Sequence, residues 1–283
     1  MQTSSDQWPV TGDRRAGRFA PACHASRLSP LAPAFTLIEL LVVIVILGLL
    51  AALAVPALKN LGKANIQVSA ARQLLDDLGH ARQLAISQHT TVYMVFVPGI
   101  WNFPAGQQTP ALANLLDKQY TGYNFLSLRS VGDQPGQSTV QYLSDWKSLP
   151  DGAFIALNKF SGITYITDAA AGVTYQVNPF YYSAGFRFPN ATNAAGLVNL
   201  PYVAFNYLGQ LTVDGVSAST ADEFIPLAQG TVGYAADPNT KALLFAAPDV
   251  TENPPGNSTN SMFDLIRVDH LTGRATQLQQ KVP

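Results

Sequence analysis

The chain has 283 residues, of which 47% are hydrophobic and only 12% are charged, and it contains 21 glycines and 19 prolines. This composition favours a domain rich in β-strands and loops over a helical one. The formal net charge is −1, so a nucleic-acid-binding function gets no support from charge. The one cysteine, Cys23, excludes an internal disulfide.

The first 34 residues are basic, and they precede a long apolar run. Basic flanks of an apolar segment stay in the cytoplasm, which places the N-terminus inside and the rest of the chain outside. Two other interpretations, a twin-arginine signal at Arg14 and Arg15 or a lipoprotein site at Cys23, are weaker because no apolar run accompanies either in the required position.

Residues 35–58 (FTLIELLVVIVILGLLAALAVPAL) carry one charged residue, Glu39. About 20 apolar helical residues cross a bilayer, so this run predicts a transmembrane helix. A carboxylate in that setting indicates a function and a partner, which we expect to be a positive group on a neighbouring subunit. The alternative is a glutamate near the membrane boundary that reaches water.

The helix is predicted to continue over residues 59–89. Apolar residues recur there at spacings of three and four, as in an amphipathic helix, at Ile66, Ala70, Leu74, Leu78, Ala81 and Ala85. Pro56 removes a backbone donor and should loosen the helix where the two parts join.

Residues 90–283 are predicted to form an antiparallel β domain. Residues 90–97 (TTVYMVFV) have the composition of a strand, and short β runs alternate with turn residues from residue 149 onward. Residues 99–140 are harder to interpret, with a short helix predicted at Pro110–Gln119, a strand near Asn124–Ser130 and a loop around Gly132–Ser138. The expected fold class is therefore α+β, with a long N-terminal transmembrane α-helix followed by an antiparallel β-sheet or β-sandwich.

The run from Phe35 resembles the N-terminus of type IV pilins and type II secretion pseudopilins. The resemblance implies that a prepilin peptidase cuts between Ala34 and Phe35 and that Phe35 is then N-methylated. Residues 1–34 would be the cleaved leader, with Thr36 and Glu39 inside the conserved assembly motif. It also implies that Pro56 marks a segment that unwinds during filament assembly.

Three later segments are similar to H-type minor pseudopilins and their FimT-like relatives. They are residues 146–152 (WKSLPDG), 203–211 (VAFNYLGQL) and 263–277 (FDLIRVDHLTGRATQ). Residues 101–140 depart from that pattern and are interpreted as an insertion.

Catalytic and metal-binding chemistry finds little support. The chain lacks a nucleophile elbow, a phosphate-binding loop and a zinc-protease motif. Asp76, Asp77 and His80 are interpreted as a solvated helix face rather than a metal site, and a calcium site at Asp249 and Glu252 remains a minor alternative. His89 and His270 are taken as surface residues without partners. Aromatic residues such as Phe180, Tyr181, Tyr182, Phe186 and Phe188 are expected to be mostly core, with some ring faces exposed for a partner.

The sequence and the resemblance together predict a minor pseudopilin, a structural subunit of a type II secretion pseudopilus and not an enzyme, with no cofactor. Its partners would be other pseudopilins, the prepilin peptidase and the inner-membrane assembly platform. It would reside in the inner membrane as a single-pass protein with a periplasmic domain before it enters the filament. The alternatives are a minor pilin of a type IV pilus or DNA-uptake filament, and a membrane-anchored periplasmic domain that never polymerises.

Overall fold

The computed structural model describes residues 36–129, 132–134, 139–168, 171–192, 197–259 and 264–279, without the side chains of residues 52–65 and 184. The predicted leader, including Ala34, and Phe35 lie outside this description. The chain divides into two units, Met1–Leu53 and Ala54–Pro283.

Helix α1 (Leu37–Gln88) is 52 residues long. It ends in a hydrogen-bonded C-terminal cap: His89 has a positive φ of 50°, its N–H donates to Ile86 O, and the N–H of Thr90 donates to Ala85 O at 3.2 Å. This pair of bonds is the Schellman motif, which satisfies carbonyls at the helix end. His89 therefore has a local structural role through its backbone, and its side chain is exposed at the surface, as predicted.

The remaining elements are mainly short strands. Within the described residues they are β1 (Val92–Phe96), α2 (Pro110–Ala113), β2 (Gly122–Ser127), β3 (Gln141–Tyr142), β4 (Lys147–Ser148), β5 (Ala153–Ile155), α3 (Asn158–Ser161), β6 (Thr164–Asp168), β7 (Val173–Val177), β8 (Tyr181–Arg187), β9 (Leu197–Phe205), β10 (Leu211–Thr212), β11 (Glu223–Gly233), β12 (Asp249–Glu252), β13 (Asp264–Val268) and β14 (Ala275–Gln279), with three-residue 3-10 turns at Ile100–Asn102, Ala105–Gln107 and Leu116–Lys118.

The described strands form three antiparallel sheets. The largest has seven strands in the order β10-β9-β1-β2-β3, with β4 also paired to β2 and β8 to β9. The second has five strands, and in it the long strand β11 pairs in turn with β13, β5 and β12. The third is the β6–β7 hairpin.

The main core lies between the second half of α1 and both larger sheets. The predicted stripe of α1 is buried: Ala70, Leu74, Leu78, Ala81 and Ala85 are fully inaccessible. These side chains belong to one cluster with residues of β1, β2, β9, β11 and β13. The helix therefore covers one face of both sheets, because its apolar stripe is the face that gains from burial against them.

A second core covers the opposite face of the seven-stranded sheet. Successive residues of β1 alternate between the cores, with Met94 in the first and Tyr93 and Val95 in the second. The second core is completed by Ile100, Leu112, Leu115 and Leu116. Residues 99–140, which were hard to interpret from the sequence, thus supply apolar side chains that cover this face of the sheet.

The predicted fold class, a long transmembrane helix followed by an antiparallel sheet or sandwich, is wrong. The described chain is mostly antiparallel sheet, and the second half of α1 belongs to the core of that sheet structure. No helix among the described residues combines the length and the apolar character needed to cross a membrane. The physical reason is that α1 is one helix whose second half, from Ile66 onward, packs against the strands.

Candidate functional site

The beginning of α1 exposes apolar side chains on every face. From Leu37 to Leu50 the large apolar residues are between 46% and 87% exposed. Consecutive residues over several helical turns cover the full circumference of a helix. Soluble monomers rarely expose contiguous apolar patches above a few hundred Å², so this helix surface is a candidate interaction site.

The first turn of this helix is closed by reciprocal hydrogen bonds between Thr36 and Glu39. Glu39 Oε2 accepts from the N–H and from the hydroxyl of Thr36, both at 3.1 Å. In return, the N–H of Glu39 donates to Thr36 Oγ1 at 3.2 Å. This arrangement is a capping box, and it also places a negative charge at the positive end of the helix dipole.

The capping box gives Glu39 a role that the sequence interpretation missed. The signal was present, because a threonine followed three residues later by a glutamate before an apolar run is the signature of such a cap. Among the described residues, Oε1 of Glu39 accepts no hydrogen bond, so half of the carboxylate is available to another group. The proposed partner amine, that of Phe35 on a neighbouring subunit, lies outside the described residues.

Pro56 lies inside α1, where its side chain is outside the description. The unwinding that the resemblance implies at this position stays a prediction.

A second region of interest is the tip at which the turn between β9 and β10 meets the turn between β13 and β14. Arg82 of α1 donates from Nε to Gly209 O at 3.2 Å and to Thr272 O at 2.7 Å. The N–H of Leu211 donates to His270 O at 3.1 Å. The turn before β10 and the turn between β13 and β14 are thus held together by the last part of the helix.

An ion-pair network lies beside this tip. Asp222 Oδ1 is 2.6 Å from Nδ1 of His270, and Asp222 Oδ2 accepts from the guanidinium of Arg267 at 2.7 Å. The interpretation of His270 as a residue without a partner is wrong. Asp222, Asp269 and His270 offer ligand atoms within 4.8 Å of one another, as a metal site would. Arg267 already neutralises Asp222, so the geometry favours an ion-pair network over a cation site.

The acidic pair on α1 also has a structural role. Asp77 is buried, accepts a hydrogen bond of 2.6 Å from the hydroxyl of Tyr123, and pairs with Lys147 at 2.5 Å. His80 packs edge-on against Phe125, with ring centroids 5.4 Å apart. Asp77 and His80 therefore engage different partners, and the expectation of a solvated face is wrong at Asp77. Burial and the bond to Asp77 raise the pKa of Tyr123 far above its ordinary value.

The loop after β12 uses its acidic residue for a turn. Glu252 Oε1 accepts from the hydroxyl of Ser258 at 2.6 Å, and Oε2 accepts from the Ser258 N–H at 3.4 Å. The carboxylate that a calcium ion would need is thus bonded to its own loop.

A buried ion pair joins α3 to β11. Lys159 and Glu223 are bonded directly, and Lys159 also donates to Asn178 O at 2.7 Å and lies 4.6 Å from the ring centroid of Phe180. Burial lowers the pKa of Lys159 and raises that of Glu223, and each charge opposes the shift of the other. Removing one partner would leave an unpaired buried group, which typically costs about 3–5 kcal/mol.

The aromatic cluster of residues 180–188 is divided between core and surface. Phe180, Phe186 and Phe188 are buried, whereas Tyr181 and Tyr182 are 43% and 39% exposed. The expectation of mostly buried rings with some exposed faces is confirmed.

Comparison of the chain with protein-family models, with curated proteins and with solved structures finds no match. The fold and the site define a protein of mainly antiparallel β-structure with an exposed apolar helix at its start. Its function is therefore inferred from its own residues.

Proposed function

We propose that this protein is a minor subunit of a pseudopilus of the type II secretion kind. It is made as a precursor at the inner membrane, cut between Ala34 and Phe35, methylated at the new N-terminus, and carries its β domain on the periplasmic side. It joins the filament through the apolar helix that begins at Leu37, and it is structural rather than enzymatic. Its partners are other pseudopilins, the prepilin peptidase and the assembly platform.

The single observation that carries this proposal is the apolar surface from Leu37 to Leu50, which is exposed on all faces of the helix. Such a surface is stable only against other apolar groups. A bundle of equivalent helices provides apolar contacts all round, whereas one globular partner would cover only one side.

The geometry of Glu39 supports assembly through a charged partner. Its Oε2 is engaged by Thr36, which fixes the rotamer of the side chain, and its Oε1 carries no bond among the described residues. An ammonium at 4 Å from a carboxylate would gain about 4 kcal/mol at an effective dielectric constant near 20, before desolvation is subtracted. The same acid can therefore close the first turn of its own helix and bind the N-terminus of a neighbouring subunit.

Two substitutions separate these roles. Glu39→Gln retains a residue type that completes a capping box but removes the charge. Thr36→Val removes the hydroxyl cap and keeps the charge, at a cost of about 1 kcal/mol in helix stability. We expect Glu39→Gln to reduce the amount of this protein in filaments sheared from cells by at least about tenfold, since 1.4 kcal/mol is a factor of ten. Thr36→Val should stay within about twofold of wild type.

Mass spectrometry of the purified protein provides the matching readout. A methylated N-terminal phenylalanine at position 35 is expected. A protein that retains residues 1–34, or a Glu39→Gln variant that enters filaments normally, would contradict the proposal and favour a tethered domain that does not polymerise.

A further inference from the structure

An aromatic groove lies on the β domain. It has a volume of about 430 Å³ and is bordered by the 3-10 turn Ile100–Asn102, helix α3 and strand β8. Trp101 and Tyr182 are 40% and 39% exposed, so both rings present a face to solvent. Tyr120 and Phe160 line the groove below them.

The aromatic rings of the groove are held in place before any ligand arrives. The side chain of Trp101 hydrogen-bonds the hydroxyl of Tyr120, and the hydroxyl of Tyr182 donates to Phe160 O at 3.0 Å. The ring of Tyr120 meets that of Phe160 edge-on with centroids 5.2 Å apart, and Phe160 meets the buried Phe180 at 5.3 Å. The groove is thus continuous with the core. Binding of a ligand would cost little conformational entropy, because the side chains of the groove are already ordered.

The backbone next to the groove is adapted to this arrangement. A side chain on Gly99 would place its Cβ 2.5 Å from the hydroxyl of Tyr120 and 2.8 Å from Nε1 of Trp101. Tyr120 itself has a positive φ of 64°, which is uncommon for a bulky residue. Backbone strain of this kind concentrates at ligand-binding sites.

The groove carries no charged side chain among its described lining residues. The polar groups of Trp101, Tyr120 and Tyr182 bond within the protein, and the exposed amides of Asn102 and Asn199 add further donors and acceptors. Amides and hydroxyls both donate and accept, as do the neighbouring hydroxyls of a sugar. An anionic ligand would find no cation among these residues, and a run of prolines, which lacks N–H donors, would leave the acceptor oxygens of Asn102 and Asn199 unpaired.

We propose that this groove binds a neutral oligosaccharide. The apolar face of one sugar ring stacks on Trp101, a neighbouring ring contacts Tyr182, and the amides of Asn102 and Asn199 bond the ring hydroxyls. The proposal is independent of filament assembly, because no groove residue belongs to α1.

The test is calorimetric titration of the full chain with maltohexaose, cellohexaose and chitohexaose, in a zwitterionic detergent without a sugar headgroup. At least one of these should bind with a change in tryptophan fluorescence. Trp101→Ala should weaken that binding by about tenfold or more, as expected for a central aromatic anchor. The matched control is Tyr165→Ala, which removes a ring that is 62% exposed on β6 outside the groove and should leave binding unchanged.

Asn199→Ala, checked by circular dichroism for an unchanged fold, provides a second variant if Trp101→Ala fails to fold, and should also weaken binding. The proposal is overturned if none of the three hexasaccharides binds, or if the groove variants and Tyr165→Ala bind equally. Tighter binding of a sulfated hexasaccharide or of a proline-rich peptide would overturn it as well. These outcomes leave the assembly proposal untouched, since that proposal is read out in filaments.

Discussion

At the scale of single residues, several acidic side chains are used to close local structure. Glu39 caps α1, Asp77 holds the helix to β2 through Tyr123, and Glu252 closes a turn. Each of these three carboxylates has a specific hydrogen-bonding partner. They are therefore poor candidates for metal binding, because their oxygens are already engaged.

Asp222 should make stability depend on pH in the acidic range. Burial alone would raise its pKa, but hydrogen bonds from His270 and Arg267 outweigh burial and lower the pKa below its ordinary 3.8. The folded carboxyl thus binds its proton more weakly than the unfolded one. Its contribution to stability is present above about pH 4 and is lost as the pH falls through the lower folded-state value.

Asp222→Asn is expected to lower the free energy of unfolding at pH 6 by about 1 kcal/mol, a typical value for a partly exposed pair. It should also flatten the decline in stability between pH 4 and pH 2, as measured by urea denaturation. Asp145→Asn, at an exposed aspartate with no ion pair among the described contacts, is the control. An equal slope for wild type and Asp222→Asn would show that the network does not titrate with folding.

At the scale of elements, the junction between the β9–β10 turn and the β13–β14 turn decides how the two larger sheets meet at the tip. A Cβ on Gly273 would lie 2.0 Å from the carbonyl oxygen of Gly209, which is far closer than two non-bonded atoms can approach. Both turns also bond Arg82 of α1. The close approach of two backbones, rather than a side-chain contact, fixes this junction.

Gly273→Ala should therefore destabilise the protein far more than its positive φ of 62° alone requires. The matched control is Gly172→Ala in the turn before β7, which has a similar φ of 65° but open space around the added Cβ. The control should cost about 1–2 kcal/mol, the usual penalty for a left-handed conformation. Gly273→Ala should cost at least about 2 kcal/mol more by denaturant unfolding, and equal costs would mean that the junction yields easily.

Part of this element arrangement was readable in the sequence. The stripe at Ala70, Leu74 and Leu78 has a period that only a helix satisfies, and strand β1 is rich in β-branched and aromatic residues. The meeting of Gly209 with Gly273 was not readable, because it joins residues far apart in the chain. The pairing of Lys159 with Glu223 was hidden for the same reason, since buried ion pairs have no local pattern.

Other failures have different physical causes. The capping box at Thr36 and Glu39 had a sequence signature that the apolar run obscured. The apolar cover from residues 99–140 had no single signature, because its side chains lie on separate 3-10 turns and on a four-residue helix, each too short to show a period. The transmembrane interpretation followed from the length and hydropathy of residues 35–58, and hydropathy does not distinguish a helix that crosses a bilayer from one whose apolar surface meets another apolar partner.

At the scale of the whole molecule, the two units differ in what they bury. The unit Ala54–Pro283 contains the main core, the second core and all three sheets. The helix residues that enter the main core begin at Ile66. This distribution implies that the apolar start of α1 contributes little to the stability of the β domain.

A chain that begins at Ala54 should therefore fold alone. We expect a cooperative thermal transition within a few degrees of that of the full chain, and a monomer in detergent-free buffer, because the exposed apolar residues 37–50 are absent. A chain that begins at Leu75 is the contrasting variant, since it lacks Ala70, Ala71 and Leu74 and should lose cooperative unfolding. Circular dichroism and sedimentation measure both. Failure of the longer fragment to fold would mean that the first unit stabilises the second.

Strands β1 and β2 of the seven-stranded sheet are buried along their whole length, so the middle of this sheet offers no surface to another macromolecule. Recognition is left to the apolar start of α1, to turns, to the groove near Trp101 and to the hairpin β6–β7. Substitutions in these peripheral segments can therefore change what the protein contacts while the buried strands stay as they are.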